Sequence, residues 1–389
     1  MNVIVLTSAM IDDDFNQYAK IAKVKPNPSN QNFYSKLIKA LSYYNHVSVL
    51  SLRPFVKGSL MDEYLETKVA VEGTVHYYYP YIKDGLTFKL FKKQSVILES
   101  IRQLIEDQHY EEFVVVVDTL RFSLLKVATK LKKLYKCKVV GVLTDNPANL
   151  SGVKNSYIRA IKSNSNNFDG YIALTEQLNK IFNPKKKPYY LMGGLVEDVE
   201  PMKGLLIQDY LFFGGALYER YGVKRLVDGF HRSSSHYKLV IAGHGDLTHY
   251  IENMARKDNR ILFIGQLPKR EMYRLEQNAH FNINPRPYSF KLDKESVPSK
   301  LLEYFASGTP TITTLHTTLK FEFPEEAIWL NEDTEAGFEK AIDQLDRHDY
   351  QELKKYASTA RLKVFELYGL KNQGEGITMF FNEYMKNEG

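Results

Sequence analysis

The stretch ESVPSKLLEYFASGTP, residues 295–310, sets two carboxylates eight positions apart around a proline, a serine and a lysine. Glu295 precedes, and Glu303 lies inside, a short helix that the residues mark over 298–306. Pro298 suits the first helical position, where its missing N–H costs nothing, with Ser296 or Val297 as the cap. Gly308 and Pro310 end the helix. The first amides, those of Ser299, Lys300 and Leu301, face an approaching anion together with the positive end of the helix dipole. Lys300 adds a charge. Glu303 falls on the same face as Ser299, one turn further in, where a carboxylate accepts two hydrogen bonds from a vicinal diol such as a ribose. Glu295 lies on the other side of the phosphate position. The set describes a ribose-diphosphate site with a carboxylate at each end. Spacing alone also fits an amphipathic helix with two solvated glutamates, so the neighbours must decide.

Three further segments carry small residues and cations out of strand-like runs. FFGGALYERYGVKRLVDGF holds Gly214 and Gly215, then Arg220, Lys224 and Arg225, before a helical pattern. LVIAGHGD ends at Gly243 and Gly245, and HFNINPRP runs into a Pro-bounded loop with Arg286. One Gly-rich strand end is usually a tight turn. Several in order, converging where an open α/β sheet places its ligands, argue for a phosphate site. DDD, residues 12–14, has the form of a metal-binding Asp-x-Asp, but it reads as a solvated polar loop after the first strand. No His/Cys cluster has zinc spacing, and no metal or cofactor is expected.

The elements that must position these residues alternate along the chain. Strand-like runs fall at 3–6, 47–50, 75–79, 113–117, 139–143 and 171–174, then at 210–213, 238–241, 261–263, 281–283 and 311–313. Helical patterns fall at 32–42, 90–106, 122–135 and 156–163, then at 223–231, 247–256, 269–276, 298–306 and 334–345. Continuous apolar strands alternating with helices predict parallel sheets covered on both faces. Two such sets predict an α/β protein of two doubly wound, Rossmann-like domains facing a cleft. NPKKKPYYLMGG has linker chemistry, so the boundary is set near 183–203: domains over 1–190 and 191–350, and a helical segment, 351–389, expected to pack back across the cleft onto the first domain.

Composition narrows the partners. The chain has 389 residues, 44% hydrophobic and 25% charged, with net charge +6. That charge attracts phosphates, acidic glycans or an anionic membrane face, and reads as too weak and scattered for nucleic acid. One cysteine, Cys137, excludes an internal disulfide and fits a reducing compartment. MNVIVLTSAM has no basic n-region and reads as a first strand rather than a signal peptide. No apolar run approaches the roughly 18 residues of a spanning helix. A cytoplasmic protein is expected, at most resting on the inner face of the plasma membrane. The basic segments FKLFKKQ and KLKKLYKCK, at 88–94 and 130–138, read as solvated helix faces or as contacts to anionic lipid.

The pair Glu295 and Glu303, followed by ASGTP, resembles the E-x7-E signature of family-4 glycosyltransferases, retaining enzymes of the GT-B fold that use nucleotide sugars. The resemblance covers most of 205–345, and the sequence looks like the bacterial surface-polysaccharide members. It implies that Glu303 holds the ribose, that Glu295 lies by the donor sugar, and that Pro298 to Leu301 hold the diphosphate. Gly265, Gln266 and Leu267 would pack on the base. It also implies a metal-independent reaction, with retention of configuration and no strong protein base. The acceptor, a glycan or polyprenyl-linked glycan, would meet the first domain, where Asn30, Asn32, Asp118 and Asp145 are candidates; capping is the ordinary role of the two aspartates. One departure stands out. Where the family often has a basic pair for the diphosphate, this chain has Gly215 and Tyr221, with Arg220, Lys224 or Arg286 as replacements. A catalytically silent subunit that binds sugar or protein and supports a partner enzyme is the second reading. An epimerase or phosphorylase acting on phosphorylated sugars is the third.

Overall fold

The computed structural model describes the chain except for residues 23–25, 27, 55–65, 82–91, 150–152, 203–208 and 387–389, and the side chains of 290–292. It forms two compact units, Met1–Leu195 with Leu370–Gly389, and Val196–Gly369. The sequence reading put the boundary five residues earlier.

In the first unit the chain runs β1 (Asn2–Thr7), α1 (Asp12–Ile21), α2 (Pro28–Ser42), β2 (His46–Ser51), β3 (Lys68–Glu72), β4 (Val75–Tyr79), α3 (Lys93–Asp107), β5 (Val114–Asp118), α4 (Phe122–Tyr135), β6 (Lys138–Leu143), α5 (Asn155–Ser165), β7 (Gly170–Ala173), α6 (Glu176–Phe182) and β8 (Tyr189–Leu191). Among the described residues the sheet order is β3-β4-β2-β1-β5-β6-β7-β8. Every pairing is parallel except β3 with β4. Runs such as VVVVD and NVIVLT are apolar at successive positions because helices cover both faces. Odd and even residues feed two separate cores: Val3 and Val5 with α2, Ile4 and Leu6 with α3 and α4.

The second unit contains β9 (Tyr210–Ala216), α7 (Val223–Arg232), β10 (Lys238–His244), α8 (Thr248–Lys257), β11 (Ile261–Gly265), α9 (Lys269–Asn278), β12 (Phe281–Asn284), α10 (Phe290–Glu295), α11 (Ser299–Ser307), β13 (Thr311–Thr313), α12 (Thr317–Glu322), β14 (Ile328–Trp329), α13 (Glu335–Asp343) and α14 (Tyr350–Tyr368). Its sheet order is β11-β10-β9-β12-β13-β14, with all pairings parallel. That is the doubly wound order, whose direction reverses between β9 and β12. The corresponding reversal in the first sheet lies between β1 and β5.

Several elements escape the sequence pattern. The polar run DDD opens helix α1, since three aspartates in a first turn complement the helix dipole. β3 is an exposed edge strand closed by charged Lys68 and Glu72. α6, α10, α12 and β14 are too short for periodicity to register. The segment 351–389, expected to pack onto the first domain, divides at Gly369. α14 stays in the second unit, where Ala360, Val364 and Tyr368 join the apolar face of α11. α15 (Leu370–Tyr384) joins the first unit. There a Cβ on Gly374 would lie 2.0 Å from the Ala40 carbonyl, and Asn45 donates to Thr378 at 2.8 Å.

Two glycines with similar backbone angles face different surroundings. Gly222 (φ +78°) caps α7, and a Cβ there would meet the Pro285 carbonyl oxygen at 1.9 Å. Gly265 (φ +72°) ends β11, and a Cβ there meets nothing within 4 Å. Gly265→Ala should therefore cost only the left-handed conformation, about 1 kcal/mol. Gly222→Ala adds a backbone clash and should cost about 3 kcal/mol or more. Urea midpoints of the two variants check the contrast; equal losses would mean that the Gly222–Pro285 approach is not enforced.

Candidate functional site

The reversal point of the second sheet gathers the residues that the sequence singled out. β9 ends in Gly214, Gly215 and Ala216, paired with Ala242, Gly243 and His244 of β10. Gly243 (φ +143°) is a packing glycine, since a Cβ would sit 1.8 Å from the Gly215 oxygen. Gly214 faces the core: its amide donates to the Tyr304 hydroxyl at 3.1 Å, and a Cβ would strike Met272 at 2.2 Å. Gly215 is half-buried, with only its neighbour's ring near the Cβ position. Of the three glycines, Gly215 is the one with an open side.

On the other side of the reversal, α11 begins at Ser299 with Pro298 as its cap, one position later than the sequence suggested. Leu301 donates its amide to the Pro298 carbonyl at 2.9 Å, so the amides available ahead of the first helical bond are those of Ser299 and Lys300. Gly308 closes the helix at φ +71°, as its composition demands. Tyr304, fully buried, ties α11 to Gly214 and so fixes the height of the helix start against the sheet.

Lys300 departs from its expected role. Its ammonium lies 2.7 Å from Glu303 and 3.1 Å from Glu276 of α9, a carboxylate only 1% exposed. Burial works against the charge, but the two carboxylates outweigh it and hold the pKa well above the ordinary value. Lys300 is thus committed to orienting Glu303 and does not point a charge at a phosphate. Glu303 lines a shallow groove with Glu197, Tyr273, Glu276, Gln277 and Ser307. Glu197 pairs with Lys269 at 2.8 Å. The three carboxylates give this groove acceptors that suit a hydroxyl-bearing ligand. Glu276 was missed by the sequence reading, though it left a trace. Met272, Leu275, Glu276 and Ala279 fall at i, i+3, i+4 and i+7, so a carboxylate occupies one position of an apolar stripe.

A second, shallow pocket opens on the Pro298 side and is lined by Asn284, Arg286, Ser289, Asp293, Thr314 and His316. Arg286 donates to Ser296 at 2.6 Å, and Thr314 donates to the Arg286 carbonyl. Glu295, the last residue of α10, is 6% exposed. The segment between α10 and α11 is pinned by His316. Its Nδ1 accepts the Leu319 amide, so Nε2 carries the proton and donates to Asp293 at 3.1 Å. Asp293 also accepts the Thr317 amide at 2.8 Å. Burial lowers the His316 pKa, with Asp293 opposing the shift.

Of the three cations proposed for a diphosphate, Lys224 is engaged elsewhere: it pairs with Asp228 at 2.6 Å, and Tyr250 donates to the same carboxylate. Arg220 is exposed on a short turn and lies over the rings of Tyr218 and Tyr221 at 4.9 and 5.0 Å. Arg286 is the cation that lines the pocket. Gln266 is exposed beside Gly265, whereas Leu267 packs into the core around Phe212 and Tyr304.

In the first unit, the ends of β1 and β5 carry a linked polar chain. Ser8 donates to Asn30 at 2.8 Å, and Asn30 donates to Asp118 at 2.9 Å. Asp118 is fully buried and also accepts the Leu120 amide at 3.0 Å, the turn role that its position suggests. Burial raises its pKa, against the pull of Arg121, 3.8 Å away, and of Asn30. Asp145 and Asn32 are exposed. The aspartates of α1 have local partners: Asp14 pairs with Lys68 at 3.0 Å, and Asp12 accepts from Gln31 at 2.8 Å. Among the described residues no group of three His, Cys, Asp or Glu could hold a metal.

Residues 208–348 match the family model described as glycosyl transferases group 1. No curated protein matches the chain. Among solved structures, sucrose-phosphate synthase from Thermosynechococcus elongatus is similar at 14% identity over 98% of this chain and 99% of that one, TM-score 0.70. Anabaena HepE, solved with UDP, is similar at 12% identity over 98% and 100%, TM-score 0.66. A lipopolysaccharide outer core galactosyltransferase, WaaB, is similar at 13% identity over 98% and 99%, TM-score 0.59. At these identities the likeness establishes the fold: two Rossmann-like units of the GT-B glycosyltransferase type.

The His316 geometry gives a pH prediction. A folded-state pKa held below 6.5 means that the unfolded chain takes the proton more readily, so the stability is present above 6.5 and lost as pH falls. His316→Asn keeps an acceptor for the Leu319 amide and removes the titration. Melting temperature of the parent chain should drop further between neutral pH and about 5 than that of the variant. Parallel curves would exclude His316 as the titrating group.

Proposed function

We propose that the chain is a retaining glycosyltransferase that moves a sugar from a nucleotide-diphosphate donor to a glycan or polyprenyl-linked glycan, as in bacterial polysaccharide synthesis. The observation that carries this reading is the arrangement around the start of α11. A groove lined by Glu303 lies on one side, and a pocket lined by Arg286 and Asp293 lies on the other. A nucleoside diphosphate offers a diol for the carboxylate and a diphosphate for the guanidinium and the free helix amides. Glu303, oriented by Lys300, takes the ribose hydroxyls. The amides of Ser299 and Lys300, with Arg286, take the diphosphate, and Gly215 lets it approach the end of β9. Gly265 and Gln266 offer the main chain to the base.

Breaking the glycosidic bond builds charge on the leaving phosphate. Fixed amides and a guanidinium placed there lower the barrier without reorganising. Glu295 faces the developing positive charge on the sugar. The reaction so read needs no metal or cofactor. The polar chain Ser8–Asn30–Asp118 is the acceptor side, with Asp145 and Asn32 at its margin. The silent-subunit reading draws on one observation: of the cations considered for the leaving group, Lys224 is held by Asp228, and Tyr221 replaces a basic residue.

Thermal melts with uridine, guanosine and thymidine diphosphates and their sugars, with and without chelator, test the proposal. A ligand at about 100 times its Kd stabilises by about 2.7 kcal/mol. One base should raise the melting temperature regardless of chelator, and Glu303→Ala should abolish the shift. Arg286→Gln should lower turnover by roughly 100-fold or more. No shift with any nucleotide would remove the donor site. A shift without nucleoside diphosphate release in the presence of acceptor would favour the silent subunit.

A further inference from the structure

The positive charge of this protein is concentrated in one place. Residues 119–168 contain ten Lys and Arg and a single acid, Asp145, for a net of +9. The whole chain carries +6, so the remainder is net −3. The reading of a weak, scattered charge holds for the total and fails for this segment. The segment builds α4 and α5, and neither helix contains an acidic residue.

The two helices pack side by side with their starts together. The rings of Phe122 and Tyr157 are 6.3 Å apart, and the Tyr157 hydroxyl donates to the Leu120 carbonyl at 2.8 Å. On α4 the exposed residues Lys126, Lys130, Lys133 and Leu134 follow i, i+4, i+7 and i+8, a single outward stripe. On α5, Arg159 and Lys162 are exposed three positions apart. The neighbouring Asp169 is already bound to Lys132 at 2.7 Å, so it does not offset the stripe. The ammonium groups of Lys126 and Lys162 lie over the rings of Phe122 and Phe182 at 4.7 and 5.6 Å, with the lysines exposed.

We propose that the α4–α5 face docks this protein on an anionic lipid bilayer. Charge alone would also suit a nucleic-acid backbone. The apolar residues decide between them. Leu134 is 68% exposed among the lysines, with Tyr135 39% and Tyr157 37% exposed on the same pair of helices. A leucine gains nothing against a phosphate backbone and gains burial at the headgroup–acyl boundary, where tyrosine rings also settle. Among the described residues no helix is long and apolar enough to cross a membrane, so the contact is peripheral. The proposal is independent of the donor reading, because it concerns the first unit and requires no nucleotide.

Flotation with vesicles of equal parts phosphatidylcholine and phosphatidylglycerol, against pure phosphatidylcholine, tests it on the full chain. The protein should float only with the anionic vesicles, and salt should release it. The variant Lys130→Glu/Lys133→Glu/Lys162→Glu should lose roughly 100-fold or more in partitioning, at about fivefold per charge. Leu134→Ser should weaken binding without changing its salt dependence. All four positions are exposed, and an unchanged melting temperature verifies folding. The control Lys257→Glu/Lys320→Glu/Lys355→Glu makes the same charge change on the second unit and should bind as the parent does. Equal flotation on both vesicle types, absence of flotation, or an equal loss in the control overturns the proposal. So does tighter binding to a single-stranded RNA than to the anionic vesicles.

Discussion

The parallel sheet is the constraint on which everything else rests. A parallel strand must be followed by a crossover, and a right-handed crossover covers one face of the sheet with a helix. Once the winding reverses, the loops on either side of the reversal diverge and leave a crevice that no helix fills. In the second unit this crevice falls between β9 and β12. Glycines at the end of β9, the Asn284–Arg286 loop and the start of α11 are therefore brought to one edge without any pairwise attraction among them. The same topology places Ser8 and Asp118 together in the first unit.

Within that frame, electrostatics sorts the residues into roles. A half-buried lysine loses hydration that carboxylates must compensate. Lys300 has two, so it stays charged and holds Glu303 in one orientation. On the other side of Pro298, Arg286 and Asp293 line the second pocket. The orientation of Glu303 follows from where Glu276 lies, on a helix distant in sequence. His316 works without charge, through a fixed tautomer that bridges α12 to Asp293. The basic α4–α5 face illustrates the opposite regime, in which like charges remain at the surface, solvated, and are tolerated because they repel each other only through water.

The alternation of apolar runs and helical periodicity determined the doubly wound fold, because burial on both faces of a strand and on one stripe of a helix is a local requirement. It also placed α11 to within one residue at each end, since Pro298 and Gly308 act through their own backbone geometry. It did not determine which groups Lys300, Lys224 and Gly214 serve. Sequence makes each a candidate phosphate contact, and each is engaged by a partner far away in sequence or a turn along its helix: Glu276 and Glu303, Asp228, and Tyr304. Short elements such as α10 and α12 gave no periodic signal, and the split of the last helices at Gly369 depended on which surface each apolar stripe matched. Charge and periodicity are properties of a segment and survive in the sequence. Hydrogen-bond partners are properties of a neighbourhood, and only the packed chain decides them.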